Sequence, residues 1–293
     1  MCKMSITLYL LNKKGFEVLK AVVENSNYKK HLSQVIYGED NKLENDFSNE
    51  IKGLCAENGI SCFSRQEGID VKDEYSIAVG WRWLINNKTK LIVLHDSFLP
   101  FYRGFSPLVN MLINGENYVA ASAIFADNEM DKGEIIYQEK KIIKYPIKIL
   151  DAIHIVSALY VKLITEIFSE LTLGKKLKSY PQDESLASYS IWRDSDDYFI
   201  NWNEDAEKIK RFVDAVGKPY DGAKTRDSEG NVVIINDCKV REMRFEISSP
   251  GKIILLKDGQ PVVVCGKDAL HLVNYHEIDG KPYRIKKFRT RFL

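Results

Sequence analysis

Along the first half of the chain the period of the apolar positions changes repeatedly, and each change marks an element. Residues 5–11 form an apolar-rich run that predicts a strand, while residues 15–24 set Phe16, Val18, Leu19, Val22 and Val23 on one helical side. Residues 32–37 predict a second strand, and residues 46–58 a helix with Ile51, Leu54 and Cys55 facing inward. Short strands follow at residues 61–64, 76–79 and 91–94. Strands separated by helices imply crossover connections and a mainly parallel sheet covered on both faces. The runs Ile77-Ala78-Val79 and Leu91-Ile92-Val93-Leu94 suit its buried centre. From residue 147 to 173, Ile149, Leu150, Ile153, Val156, Leu159, Leu163, Ile164 and Ile167 recur at helical spacing and predict one long amphipathic helix.

After Pro181-Gln182 the texture changes. A helix is expected over residues 204–216, followed by short strands at 232–235, 252–256, 261–265, 269–275 and 283–288. Glu229-Gly230, Pro250-Gly251, Asp258-Gly259 and Asp279-Gly280 supply the turns between them. The expected architecture is therefore α/β, a Rossmann-like mainly parallel sheet over residues 1–190, then a small mostly-β, OB-like C-terminal domain over residues 191–293.

Composition narrows the classes. Hydrophobic residues at 45% and charged residues at 28% describe a folded chain and exclude bulk disorder. The longest unbroken apolar runs fall well short of a membrane span, so no membrane association is expected, and the five scattered cysteines suggest reduced thiols in a cytoplasmic setting. The formal charge of +1 divides unevenly: residues 1–190 carry −1, residues 191–280 carry −4, and the last thirteen carry +6. That division argues against a broad nucleic-acid-binding face.

The turn after the first strand, Leu11-Asn12-Lys13-Lys14-Gly15-Phe16, holds one glycine, so no GxGxxG phosphate cradle is present, and no GxxxxGK[ST] loop occurs elsewhere. No metal-ligating spacing occurs among the cysteines. His95 directly follows a buried strand, at the end where parallel sheets receive ligands. Asp131 lies in a glycine-containing turn, Met130-Asp131-Lys132-Gly133, just before another strand.

Together these residues resemble a known family. The stretch from His95-Asp96-Ser97-Phe98-Leu99-Pro100 to Phe101-Tyr102-Arg103-Gly104-Phe105-Ser106-Pro107 is similar to the HxSLLPxYRGxxP signature of folate-dependent formyltransferases. Asn114-Gly115 with Asp131-Lys132-Gly133 resembles that family's NG…DxG continuation. Pro181-Gln182-Asp183-Glu184-Ser185-Leu186-Ala187-Ser188-Tyr189 and Ile200-Asn201-Trp202 resemble the linker and barrel of its methionyl-tRNA branch. The resemblance implies formyl transfer from 10-formyltetrahydrofolate to an amine, with His95 and Asp131 as the catalytic pair. It also implies a pterin pocket near Trp81, Trp83 and Asp127. Arg103 and Gly104, ahead of a helix expected from Pro107, become candidates for docking an anionic acceptor.

One position departs from the family. Two residues before its His the family carries an Asn whose amide steadies the formyl oxygen, and here that residue is Val93. Losing such a donor costs roughly 3–4 kcal/mol elsewhere, so Ser97, a backbone N–H near Asp96 or a water is expected to substitute. The charge division favours a nucleotide-linked amino sugar as acceptor, as in sugar N-formyltransferases of surface polysaccharide synthesis, and allows a homodimer. The alternatives are a methionyl-tRNA formyltransferase-like enzyme and a formyltransferase-fold binding protein without turnover.

Overall fold

The computed structural model describes residues 4–285 and 289–293, apart from residues 42, 44, 87, 88 and 258. Contacts divide the chain into two compact units. The first comprises residues up to Pro107, Tyr118–Ile142 and Ile153–Ser190; the second comprises Leu108–Asn117, Ile143–Ala152 and Ile191–Leu293. The second unit thus draws on two segments of the first half of the chain as well as its end.

In chain order the elements up to the linker are β1 (Ile6–Leu10), α1 (Asn12–Glu24), α2 (Ser26–Lys29), β2 (Leu32–Tyr37), α3 (Ser48–Asn58) and β3 (Ser61–Ser64). Then come β4 (Tyr75–Val79), β5 (Lys90–His95), β6 (Arg103–Gly104), α4 (Pro107–Asn114), β7 (Tyr118–Phe125), β8 (Ile135–Ile142), α5 (Ile149–Thr172) and β9 (Tyr189–Ser190). One sheet runs β3-β2-β1-β4-β5-β7-β8, with β7 and β8 antiparallel to their neighbours and the others parallel. The expected Rossmann-like sheet is present, with two antiparallel strands added at one edge. The sequence pattern did not mark β7, because Ala120-Ala121-Ser122-Ala123 is too small and too weakly β-branched to read as a strand.

Every residue of β1 and β4 is buried, as their continuous apolar runs require for central strands. From β1 the chain builds outward to β2 and β3, then returns beside β1 as β4, so the order reverses between β1 and β4. Such a reversal opens a crevice at the carboxyl ends of the strands, and the next strand over, β5, ends at His95. By length and composition alone α5 is apolar enough to cross a membrane, which the test of unbroken runs had excluded. Half of its apolar window is buried against the rest of the chain, through residues such as Val156, Tyr160, Leu163, Ile167 and Phe168.

The second unit continues with α6 (Ala206–Ala215), β10 (Ala223–Arg226), β11 (Val232–Arg241), β12 (Ile253–Lys257), β13 (Gln260–Val264) and β14 (Ala269–Glu277). These five strands form an antiparallel sheet ordered β10-β11-β14-β13-β12. Its two edge strands are spanned by the end of the chain. Ile253 N–H donates to Thr290 O at 3.0 Å, Phe292 N–H to Gly251 O at 2.8 Å, and Leu293 N–H to Arg226 O at 2.8 Å. The Phe292 ring is 1% exposed and stacks on Trp202 at 5.9 Å. A strand expected at residues 283–288 lies partly outside the described residues, and residues 283–285 are irregular.

Candidate active site

β5 ends where its ladders end: Leu94 pairs with Val79 on one side and His95 with Ser122 on the other. The His95 ring is 7% exposed, and its Nε2 lies 2.8 Å from Tyr102 O. A carbonyl only accepts, so Nε2 carries the hydrogen, and Nδ1 is left with the lone pair in the neutral ring. Nδ1 lies 3.6 Å from Asp131 Oδ2, as near neighbours outside hydrogen-bond reach.

Asp131 is placed by backbone geometry. Its φ is +53°, and its Oδ2 accepts from Gly104 N–H at 2.7 Å. Gln182 Nε2 donates to both Asp131 O at 2.7 Å and Gly133 O at 2.8 Å, closing the turn. Gly133 is glycine for want of space, since a Cβ there would lie 1.6 Å from Phe125 O. Gly104 has φ +99°, and a Cβ would meet Ser190 O at 2.5 Å. The structure therefore gives Gly104 the task of aiming the Asp131 carboxylate.

Arg103 has a different task from the acceptor docking expected of it. It is fully buried, and all five of its N–H donors are engaged within the chain. Nε and one terminal nitrogen reach Gln182 Oε1 at 3.1 and 2.8 Å; Glu184 accepts at 3.0 and 2.7 Å, and Tyr189 Oη at 3.4 Å. Glu184 holds the guanidinium above its ordinary pKa, and the guanidinium holds the Glu184 carboxyl below its own. A planar fork saturated in this way clamps the linker to the Tyr102–Gly104 turn, leaving no donor for an external phosphate.

The aromatic residues expected around a pterin are packed on one another. Trp81 meets Tyr9 edge-on at 5.2 Å and Trp83 at 5.0 Å, within a cluster containing Ile36, Val71 and Ala78. The Arg65 guanidinium lies 4.3 Å over the Trp83 ring. Asp127 is exposed and accepts from the N–H of Asn128 at 2.5 Å. Val93 packs between the Tyr9 cluster and a second one of Leu99, Ile124 and Ile135. Ser97, a candidate to replace the missing Asn, is fully buried and donates its hydroxyl to Phe101 O at 2.6 Å. It is therefore committed elsewhere.

One side-chain cluster beside His95 escaped the sequence reading. Lys14 of α1 bonds Asp96 Oδ2, and Tyr160 of α5 shares its one hydroxyl hydrogen between Asp96 Oδ1 at 2.5 Å and Leu94 O at 2.9 Å. Burial pushes the Asp96 pKa up, but Lys14 and Tyr160 outweigh it and hold the carboxyl below its ordinary range. Burial and Asp96 together raise the Tyr160 phenol well above its usual value. Only the fold brings positions 14, 96 and 160 together, so no spacing could announce them. Among the described residues there is no cluster of His, Cys, Asp and Glu fit to hold a metal ion.

Comparison with known proteins bears on the family and the fold. The family described as "Formyl transferase" matches residues 74–151, and "Formyl transferase, C-terminal domain" matches residues 193–293. A methionyl-tRNA formyltransferase from Carboxydothermus hydrogenoformans is 33% identical over 197 residues, 67% of this chain but 62% of that protein. A sugar 3N-formyl transferase solved in the presence of dTDP and 5-N-formyl-THF superimposes with a TM-score of 0.68 at 15% identity, covering 93% of this chain and 98% of that one. An N-formyltransferase from Helicobacter canadensis, in complex with folinic acid and dTDP-3-aminofucose, gives 0.68 at 14% identity, over 93% and 100%. The His and Asp motifs, the glycine-dependent turn between them and two successive family domains converge: the chain belongs to the formyl transferase family.

Proposed function

We propose that this chain transfers a formyl group from 10-formyltetrahydrofolate to the amine of a nucleotide-linked amino sugar. The observation that carries the reading is the His95–Asp131 pair at the mouth of the sheet, with Nδ1 and Oδ2 3.6 Å apart. The donor supplies a formyl carbon open to attack by an amine. In this chain the loop of Trp81 and Trp83 and the segment at Asp127 would hold it. The fit is supported by Trp81 Nε1, a buried donor with no hydrogen-bond partner among the described residues, which suits a heteroaromatic acceptor.

His95 and Asp131 divide the proton work. Tyr102 O holds the imidazole in the tautomer whose Nδ1 lone pair can take a proton from the attacking amine. Asp131, fixed by Gly104 N–H, lies next to the charge that this transfer creates on the ring. The new bond joins the amine nitrogen to the formyl carbon, the bond from that carbon to the folate nitrogen breaks, and the proton held at His95 passes to the departing nitrogen.

The choice of acceptor rests on charge and extent. Residues 191–280 carry −4, and part of the +6 tail is built into the second unit, where Arg291 bonds Ser249 and Phe292 is buried. A tRNA acceptor asks for many free cations spread over a surface, whereas a pyrophosphate asks for few. The chain also spans nearly the whole of two sugar N-formyltransferase chains. The 33% identity to a methionyl-tRNA formyltransferase keeps tRNA as the second reading. Incubation with 10-formyltetrahydrofolate and either a dTDP-linked amino sugar or charged initiator tRNA, followed by mass spectrometry, separates the two. Gain of one formyl group on the sugar nucleotide supports the proposal, and gain on the tRNA alone replaces it. Transfer to neither, with 5-formyltetrahydrofolate still bound, leaves a binding protein.

A further inference from the structure

We infer that Lys14 and Tyr160, acting through Asp96, are positioning residues for His95. The inference rests on the proposed function for its catalytic meaning, while its geometry stands on the ligand-free chain. β5 loses its ladder at His95, so no sheet hydrogen bond holds the backbone beyond that point. The Tyr160 hydroxyl reaches across the gap. Its single hydrogen serves Asp96 Oδ1 at 2.5 Å, on the residue after His95, with Leu94 O, on the residue before it, within reach at 2.9 Å as a second, shared acceptor.

Lys14 of α1 completes the contact. Its Nζ pairs with Asp96 Oδ2 and lies 5.6 Å over the Tyr160 ring, so the three groups form one closed contact. The Lys14 and Asp96 side chains are only 13% and 14% exposed, and taking two such charges out of water is costly. A plain core would fasten α1 and α5 to the sheet with apolar contacts at lower cost. An ion pair beside the general base, bonded to its chain neighbours, instead fixes direction: the imidazole must keep Nε2 on Tyr102 O while Nδ1 faces Asp131. Displacement of a reacting group by about 1 Å costs roughly a hundredfold in rate.

The test uses the whole chain with two variants. Tyr160→Phe removes the hydroxyl, and Lys14→Met with Asp96→Asn removes the pair without leaving a lone buried charge. The first readout needs no ligand. The ring Nε2–H signal of His95, assigned by its loss in His95→Gln, is followed by NMR for exchange with water. Its exchange is expected to quicken about tenfold or more in both variants, as the ring loses its fixed bond to Tyr102. With 10-formyltetrahydrofolate and a dTDP-linked amino sugar, kcat is expected to fall about thirtyfold or more, with KM for both substrates changed less than about threefold. A purely structural pair predicts lower stability with ring exchange and kcat unchanged, and that result, or a wild-type ring without a protected signal, overturns the inference. If wild-type protein transfers no formyl group, the proposed function fails, and the ring exchange still decides this inference.

Discussion

Two ionic clusters in this chain each set lysine against a buried or largely buried aspartate and are put to different use. In the first unit Lys14, Asp96 and Tyr160 surround the end of β5 and touch the neighbours of His95. In the second unit Asp214 is 3% exposed at its side chain and binds Lys148 and Lys210, each at 2.6 Å, while Asp237 takes the outer side of both lysines at 3.0 and 3.5 Å. The second cluster joins the segment at Lys148 to α6 and β11, and no candidate catalytic residue stands among its members. Buried charge is thus an unreliable sign of chemistry on its own. What distinguishes the first cluster is its contact with the chain on either side of a histidine whose Nδ1 faces a carboxylate.

The largest expected effect lies in that histidine. His95→Ala and Asp131→Asn each should lower kcat by about 10²–10⁴-fold, the range for a positioned acid–base group, with the unfolding midpoint in urea nearly unchanged. Activity within tenfold of wild type in either variant would remove the basis for treating the first region as the reacting one. Asp214→Ala should give the reverse pattern. It strands Lys210, which is only 13% exposed, beside Asp237 at 3.5 Å. The expected loss of stability is roughly 3 kcal/mol, at the lower end for a broken buried pair because Lys148 is half-exposed. At a temperature where this variant stays folded, its kcat should match wild type; a fall would join the two clusters functionally.

Acid brings the two regions onto common ground. The carboxyls of Asp96 and Asp237 are both held below their ordinary range, by Lys14 and Tyr160 in one case and by Lys148 and Lys210 in the other, each against the opposing pull of burial. A depressed carboxyl adds stability that is fully present above its unfolded pKa, about 3.9, and is lost as pH falls through the folded value. Urea unfolding followed over pH should therefore change little from these groups between about pH 7 and 5, then weaken steeply below about pH 4. Asp96→Asn should flatten that acid limb in part, as should Asp237→Asn. A limb unchanged in both variants would place the acid sensitivity elsewhere.

Much of the fold around His95 was legible in the sequence, and the remainder, both ionic clusters included, had physical reasons to stay hidden. Continuous apolar runs announced β1, β4 and β5, and His95 at the end of β5 followed from that alone. Asp131 was singled out because Asp131-Lys132-Gly133 resembles the family's DxG continuation, and a Cβ at Gly133 would meet Phe125 O, so the structure accounts for the glycine of that motif. Arg103 was visible as a residue and misread as a ligand contact. Its partners Gln182 and Glu184 lie some eighty positions away, and one sequence does not show which of its donors are taken. The Lys14–Asp96–Tyr160 contact left no mark at all, since its members lie on the residue after β5 and on two helices brought together only by the fold. A strand was expected at residues 283–288, and what the pattern did not show is that Phe292 and its backbone, just beyond, tie together the two edges of a sheet.

The smallest expected effect concerns the residue that departs from the family. Restoring its amide by Val93→Asn looks like a gain of function, and the packing argues otherwise. Val93 sits between Tyr9, Ile36, Val71 and Ala78 on one side and Leu99, Ile124 and Ile135 on the other. An amide helps a developing oxyanion only if other hydrogen bonds hold it in the right direction beforehand, and the two clusters are apolar apart from the Tyr9 hydroxyl and Trp81 Nε1. Nearby, Ser97 and Ser122 are already bonded to Phe101 O and Ser97 O. The variant should lose about 1–2 kcal/mol of stability from a poorly satisfied amide, measured by urea unfolding, and its kcat should remain within about threefold of wild type. A clear rise in kcat would show that the first region lacks only this one donor. The contrast between the clusters would then narrow to a single side chain, because the scaffold around His95 would be able to use the family's amide as soon as it is supplied.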